Sequence, residues 1–578
     1  MANYRKKALA VAVAASMSVA LAACGSGSSN SPSASGKGGG TLTYYVRSTY
    51  DHNDPQRTYL GVELANWNRM VYRSLVSFPM SSDPAVAAKP VPDLATDTGT
   101  SSDNAKTWKF TVKDGVKWQD GKPITCEDFK YGASRVFATD VITGGPNYIL
   151  TYLDVPLDPK TGLPAYKGPY TTANNDVAAF NKAITCDGNT ITYHFKKPWP
   201  DFPLAVASLH MMDPYRKDKD QGDKSNYQIF SNGPYELQGA WDKEKGGTFV
   251  RNPNYDPATD STDIRKALPS KIIFDIGKTS EQITDQLIAD RGADQGAVTQ
   301  QSIPSSKFSQ ITGAVADRSV SVESPFVDYL VPNMKRLTNP VVRQAIAVAT
   351  DDTGWVAAGG GPKSYKPATD IVNPAVSGYQ SDLFPGGGGD PAKAKALLTS
   401  AGVKMPYPIT YSYPSTPTAD TQARALQAGW EKAGFKVTLD GVADSDTYYT
   451  NIQEPDQTAD LDWAGWGADW PSAITVTAPL FDSRPNLTAN SNGQDYGAYK
   501  SDAFNALVDQ AQASASIADQ TKYLQQADQV LAKDVAYIPL DIPIFFMLHG
   551  SKVMNYTTDP ASSSYPELGA IDVSSSVK

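Results

Sequence analysis

Residues 108–125 read WKFTVKDGVKWQDGKPIT, and residues 127–129 add EDF. From 107 to 113 apolar and polar side chains alternate, which predicts a strand with one buried face. Asp114-Gly115 then supplies turn residues ahead of Val116-Lys117-Trp118. Because Asp-Gly between two such segments is a strong hairpin signal, the sequence predicts a β-hairpin here.

The second half of this stretch predicts the start of a helix. Asp120-Gly121 offers another turn, and Thr125 is followed three residues later by Asp128, which is the spacing of a capping box. The helix is expected to run to about Phe137. A later segment, 190–196, also alternates and predicts a second strand.

Helices and strands continue to mix along the rest of the chain. Pro follows a capping residue at Asn339-Pro340 and at Asp390-Pro391, which predicts two helix starts. Amphipathic residues 502–514 and 519–533 predict two more helices, and the apolar residues 537–548 predict a strand. This mixture predicts an α/β fold.

The N-terminus carries the features of an export signal. Three cations at residues 5–7 precede an uncharged stretch from 8 to 23, which is too short to be a stable membrane span. Residues 1–23 are therefore predicted to be a signal peptide. Leu21-Ala22-Ala23-Cys24 resembles the lipobox of bacterial lipoproteins, which implies lipidation at Cys24. The alternative is an ordinary signal peptide with a Cys that happens to follow the cleavage site.

The composition after Cys24 predicts a tether and limits the partners. Residues 25–40 are almost wholly Gly, Ser, Ala, Pro and Asn, so 24–40 is expected to be a lipidated Cys with a flexible linker. The formal net charge is −9 and no basic run occurs, which argues against nucleic acid and anionic lipid as partners. Since Asp541 or Pro543 interrupts the longest later apolar runs, the lipid is expected to be the only membrane attachment.

Two cysteines remain besides Cys24, namely Cys126 and Cys186. In an oxidising extracytoplasmic compartment, an even pair favours one disulfide. Two buried thiols are the alternative, because sequence alone does not show whether the two Cα atoms lie close enough to be bridged.

Few residues suggest catalysis or metal binding. The four histidines have neither metal-ligand nor triad-like local spacing: His52, His194, His210 and His549. Neither a Gly-x-Ser-x-Gly elbow nor a His-Glu-x-x-His motif occurs. We therefore expect no metal, no cofactor and no enzymatic activity.

Four motifs follow one another along the chain. They are the stretch 108–129, NGPY at 232–235 with RNPNY at 251–255, NP at 339–340 with VRQAI at 342–346, and WGADWP at 466–471. In order and spacing these motifs resemble bacterial extracellular solute-binding protein family 5, the dipeptide- and oligopeptide-binding lipoproteins of ABC importers. The resemblance covers about residues 41–555.

The resemblance implies a two-lobed, periplasmic-binding-protein-like α/β fold (type II, cluster C) with an extra subdomain inserted in lobe I. It divides the chain into lobe I at 41–75, 205–325 and 530–578, an inserted subdomain at 76–204, and lobe II at 326–529. Cys126 and Cys186 then fall in the same subdomain, which favours the disulfide.

The resemblance also implies a function. The protein would be an extracytoplasmic lipoprotein on the outer face of the cell membrane, capturing peptides between two closing lobes for import by the permease subunits of an ABC transporter. A peptide bound in extended form offers main-chain groups that a protein can hold without reading side chains. The protein is expected to act as a monomer.

The motif 466–471 contains the expected ligand site. In the family, an Asp at the position of Asp469 holds the ligand's amino group, and Gly467 and Ala468 would contribute backbone groups beside it. A carboxylate is needed there because a buried ammonium without an anionic partner is strongly destabilised. Alternatively, Asp469 caps a turn before Pro471 in a loop packed by tryptophans.

Aromatic side chains near this motif are expected to line side-chain pockets: Trp463, Trp466, Trp470 and, from the inserted subdomain, Tyr148. Each could instead belong to the core. Trp463 stands where some oligopeptide binders carry an Arg that fixes the ligand's carboxyl end, so recognition of that end is open. The ligand could thus be an oligosaccharide, a metal chelate or haem. A secreted lipid-anchored hydrolase and an adhesion or signalling lipoprotein are alternatives of other classes.

Overall fold

Three large β-sheets with helices packed on them make up residues 39–384 and 386–574, which this computed structural model describes. The predicted signal peptide 1–23, the lipidation site Cys24 and most of the linker lie outside the described residues. Within the described residues, no helix combines the length and apolar character needed to cross a membrane.

The first sheet has five strands, in the spatial order Ala297–Thr299, Thr41–Val46, Lys271–Ile276, Gly246–Arg251 and Tyr235–Asp242. Thr41–Val46 runs parallel to both of its neighbours, whereas the other pairs are antiparallel. Helix Gly61–Met70 packs on this sheet through Trp67, whose ring centroid lies 5.5 Å from that of Phe274. This packing fixes the helix against the sheet. Tyr59 lies two residues before the first residue of the helix.

The second sheet has four antiparallel strands in the order Thr100–Ser102, Thr107–Thr111, Thr190–His194 and Ile184–Asp187. The alternation predicted for both central strands is confirmed, since Trp108 and Phe110 are buried.

The predicted hairpin partner is wrong. Residues 107–111 pair with residues 190–194 and 100–102 and not with 116–118. The turn at Asp120-Gly121 instead closes a small loop in which Lys117 and Pro123 form an isolated antiparallel β-bridge. Alternation specifies which face of a strand is buried, but the strand that covers its edge is decided by distant residues.

The predicted helix start at Thr125 is confirmed. The helix spans Cys126–Arg135, two residues shorter than expected, and the Asp128 carboxylate accepts hydrogen bonds from Thr125 N at 2.8 Å and Thr125 Oγ1 at 3.0 Å. Cys126 in its first turn forms a disulfide with Cys186 on the edge strand of the four-stranded sheet, with the two Cα atoms 5.8 Å apart.

The third sheet has seven strands. Six lie in the order Ser319–Glu323, Ile538–Leu548, Phe326–Pro332, Leu461–Gly467, Tyr407–Pro414 and Phe435–Val442, and the seventh, Tyr365–Pro367, pairs with Ile538–Leu548. The predicted C-terminal strand is thus present. Its second half pairs with residues 319–323 and its first half with 326–332, so it lies between two consecutive strands of the chain. Two short pairs complete the strands, Val76–Ser77 with Val91–Pro92 and Val553–Met554 with Asp572–Val573.

The predicted helix caps at Asn339 and Asp390 are confirmed, because their side chains accept hydrogen bonds from Val341 N at 3.0 Å and Lys393 N at 2.8 Å. The two predicted C-terminal helices are also present. The remaining α-helices of the described part span Pro84–Ala87, Tyr148–Tyr152, Val177–Ala183, Phe202–Ser208, Ser280–Ala289, Pro340–Ala349, Asp352–Ala358, Pro391–Ser400, Pro417–Lys432, Ser445–Gln453, Thr477–Phe481, Ser483–Asn486, Asp502–Ala513 and Ile517–Asp534.

Two carboxyl groups face each other in the third sheet. Asp328 and Asp541 are register partners on adjacent antiparallel strands. Trp355 Nε1 donates to Asp541 Oδ2 at 2.5 Å, and Oδ1 of Asp541 has no partner among the described residues. Burial raises the pKa of Asp541 to about 7. Burial, followed by the charge of Asp541, raises the pKa of Asp328 well above its usual range.

Replacing Asp541 by Asn is expected to stabilise the protein at pH 8 by about 1 kcal/mol, because burial disfavours the charge that Asn removes. An unfolded Asp has a pKa of about 4, so this group's stabilising contribution is complete below that pH and is lost as pH rises through about 7. Urea unfolding at pH 5 and pH 8 measures the difference. The exposed Asp440→Asn serves as control, and equal pH dependence of Asp541→Asn and the parent protein would contradict the prediction.

Candidate functional site

Two cavities meet where the strand Leu461–Gly467 ends. The first has a volume of about 150 Å³ and is lined by Asp469 and by many small side chains, among them Ala65, Ala207, Ala375, Ala468 and Ala561. The second has a volume of about 530 Å³, a size typical of small-ligand sites. Tyr59 and Trp470 line both cavities, so the two adjoin.

Asp469 lies two residues beyond that strand and is held by its own loop. Its backbone N donates to Thr475 Oγ1 at 3.1 Å, and the indole of Trp466 donates to the Thr475 carbonyl at 2.9 Å. Tyr59 Oη donates to Asp469 Oδ2 at 2.9 Å, and Tyr148 Oη donates to the same oxygen. Among the described residues, no donor reaches Asp469 Oδ1, which leaves that oxygen free for a ligand.

The electrostatics of this site favour a cationic ligand group. Burial raises the pKa of Asp469 to about 6, while the hydrogen bonds from Tyr148 and Tyr59 act in the opposite direction. Burial, followed by the charge of Asp469, raises the pKa of both tyrosines, which therefore remain hydrogen-bond donors. Near neutral pH Asp469 is thus an ionised carboxylate in a poorly hydrated place, where an opposite charge interacts more strongly than it would in water.

Trp470 joins the motif to the region of the second sheet. Its side chain is buried, and its Nε1 donates to Asp201 Oδ2 at 2.5 Å. The ring centroid lies 4.7 Å from that of Tyr148 in an edge-on arrangement and 6.1 Å from that of Trp199. Trp470 therefore both packs the site and presents part of its ring to the two cavities.

The structure brings most of the predicted site residues together. Gly467, Ala468 and Asp469 line the first cavity, and Trp466 and Tyr148 line the second. At Gly467 a Cβ would lie 2.7 Å from the Phe326 ring, so glycine leaves room for that ring at the edge of the cavity.

Trp463 lines neither of these two cavities. Its side chain is half-buried against the main core, and its carbonyl accepts a hydrogen bond from Tyr448 Oη at 2.6 Å. Ligand contact by Trp463 stays a prediction.

Two residues of the site were missed by sequence reasoning. Tyr59 contacts Asp469 across 410 residues of sequence, and no local signal marked it. Lys197 lines the second cavity beside Tyr152. In the sequence it is one of two adjacent lysines between a strand and a helix, and nothing there distinguished it from its neighbour. Within residues 39–384 and 386–574, no cluster of three or more His, Cys, Asp or Glu side chains could hold a metal ion.

Solved structures define the class of this fold. A clavulanic acid biosynthesis oligopeptide binding protein 2 is 26% identical and superposes with a TM-score of 0.81 over 94% of this chain and 96% of its own. The ABC transporter-associated periplasmic binding protein DppA from Helicobacter pylori, in complex with the peptide STSA, has a TM-score of 0.68 over 93% of this chain and 98% of its own at 19% identity. The predicted two-lobed α/β binding-protein fold with an inserted subdomain is confirmed.

The chain belongs to the bacterial extracellular solute-binding proteins, family 5, whose middle-region profile matches residues 89–487. The periplasmic oligopeptide-binding protein OppA of Salmonella typhimurium is 24% identical over 489 residues, covering 80% of this chain and 81% of OppA. The probable D,D-dipeptide-binding periplasmic protein DdpA of Escherichia coli is 25% identical over 527 residues, covering 89% and 88%. These relatives are named as binding proteins, and the family is extracytoplasmic.

Proposed function

We propose that this protein captures peptides outside the cell for import by an ABC transporter and catalyses no reaction. The observation that carries the proposal is the carboxylate of Asp469, a residue that lines the first cavity. Two phenols hold one of its oxygens, and no donor of the described residues reaches the other. The ligand's α-ammonium would bind that free oxygen. The relatives, named for peptide and dipeptide binding, support this ligand class.

The rest of the ligand would be held mainly through its backbone. Gly467 ends a strand, Ala468 follows it, and both line the first cavity, so an extended peptide would have main-chain groups beside it there. The half-buried ring of Trp466 would cover a side chain in the second cavity. Binding through main-chain groups would make affinity depend weakly on peptide sequence.

Closure of the lobes would follow from the fact that the residues around the ligand belong to different parts of the protein. On the proposed boundaries, Tyr59 belongs to lobe I, Tyr148 to the inserted subdomain and Asp469 to lobe II. A ligand at Asp469 would touch groups from all three parts and so stabilise the closed arrangement, which docks on the permease. A lipid on Cys24 would keep this monomer close to that permease.

The direct test identifies what the protein carries. Protein purified from a bacterial membrane fraction is denatured, and mass spectrometry identifies the released molecules. Short peptides are the expected result. An oligosaccharide, a metal chelate or haem would show instead that this fold serves another solute, and turnover of a peptide library by the purified protein would revive the hydrolase alternative.

Peptide affinity is expected to fall as pH decreases through about 6, because protonation removes the charge of Asp469. Below that pH the loss should approach tenfold per pH unit, since one proton competes with the ammonium. Calorimetric titration with trialanine at pH 5, 6 and 7.5 measures it. Tyr59→Phe, which removes one phenol donor, should move the midpoint to higher pH, and a flat profile in the parent protein would remove Asp469 from the site.

A further inference from the structure

The second cavity contains a cation without an anionic partner. Lys197 Nζ donates to Gln512 Oε1 at 2.9 Å and lies 4.2 Å above the centre of the Tyr152 ring. No carboxylate of the described residues forms an ion pair with Lys197. Asp482 also lines this cavity, but Arg484 Nη2 engages it at 2.7 Å.

The surroundings of Lys197 favour the arrival of an anion. Burial, followed by the charge of Lys196, lowers the pKa of Lys197 to about 8, so its ammonium is still charged at neutral pH. Asp482 and Asp509 attract this ammonium without forming an ion pair with it, and burial still outweighs their effect. An incoming carboxylate in direct contact would offset that cost of burial. Gln512 and the Tyr152 ring hold the ammonium but do not neutralise it.

One short helix contacts both Lys197 and Asp469. In Tyr148–Tyr152, the first residue donates to Asp469 and the last carries Lys197 above its ring. These positions are one helical turn apart, or about 6 Å along the axis. Tyr148 and Tyr152 both line the second cavity, whereas Asp469 lines the adjoining first cavity. The carboxylate and the ammonium therefore contact opposite ends of this one helix.

We propose that Lys197 binds the C-terminal carboxylate of a short peptide whose α-ammonium binds Asp469. This inference rests on the proposed peptide-capture function and adds a selection for ligands with a free carboxyl end. The neighbouring Asp482 would not repel that carboxylate strongly, because Arg484 is paired with it.

Calorimetric titrations of trialanine and of trialanine amide test the inference. The parent protein should bind the free acid at least tenfold more tightly than the amide. Lys197→Met, which removes the ammonium and keeps most of the unbranched side chain, should bind both forms equally and at the affinity that the parent protein shows for the amide. Lys196→Met is the matched control, because that neighbouring side chain is exposed, and it should keep the preference.

A charge-conserving variant separates recognition from folding. Lys197→Arg should retain part of the preference for the free acid, and thermal unfolding should show that all three variants fold. An undiminished preference in Lys197→Met would overturn the role of Lys197. Equal binding of both ligands by the parent protein would overturn it while peptide capture stands, whereas no binding of either ligand would overturn peptide capture and the Lys197 role together.

Discussion

Replacing Asp469 by Asn is expected to weaken peptide binding by about 1–3 kcal/mol, the range for losing a hydrogen bond to a charged group. Asn still fits between the Tyr59 and Tyr148 phenols, since its side-chain oxygen can accept their hydrogen bonds. The substitution therefore removes the negative charge and little else. The loss should be large because the ammonium would bind where water is scarce, and no other carboxylate among the described residues lines the first cavity.

Calorimetric titration of trialanine at pH 7.5 measures this loss. N-acetyltrialanine lacks the ammonium and should bind the parent protein and Asp469→Asn equally weakly. The exposed Asp456→Asn, outside both cavities, should leave trialanine affinity unchanged. If Asp469→Asn binds trialanine with unchanged affinity, the ammonium is held elsewhere and Asp469 does not contact the ligand.

Removing the disulfide with the pair Cys126→Ala and Cys186→Ala is expected to lower the free energy of unfolding by about 4 kcal/mol. The bond closes a loop whose ends are 60 residues apart, and opening it restores chain entropy to the unfolded state. The bond also fastens the first turn of helix Cys126–Arg135 to the edge of the four-stranded sheet. Because neither cysteine lines either of the two cavities at Asp469, trialanine affinity should change little.

Urea unfolding with and without a reductant measures the effect of the disulfide. The reductant should lower the unfolding midpoint of the parent protein to about that of the double variant, and it should leave the double variant unchanged. An unaltered midpoint after verified reduction would mean that the loop is already constrained in the unfolded state.

Local interactions explain why much of the fold could be predicted. Thr125 and Asp128 cap a helix with contacts only three residues apart, and Asn339 caps another in the same way. Alternation around Trp108 and Phe110 correctly predicted the buried face of a strand. The ordered motifs identified the family, and through it the fold class and Asp469 as a site candidate.

Local interactions did not predict the pairing of strands or the chemistry of the site. The strand at 107–111 formed no hairpin with 116–118 because residues 190–194 covered its edge. Tyr148 meets Asp469 across 321 residues of sequence and Tyr59 meets it across 410, and both phenols donate to the same carboxylate oxygen.

The amino-acid sequence by itself predicted export and determined the α/β class, the helix caps and the motif that contains Asp469, because each depends on residues close together in the chain. Only the tertiary structure decided the partner of strand 107–111, the phenols on Asp469 and the position of Lys197 in a cavity. The physical reason is that burial and ionisation depend on all the atoms around a group. Those atoms come from segments hundreds of residues apart, which only the folded chain assembles.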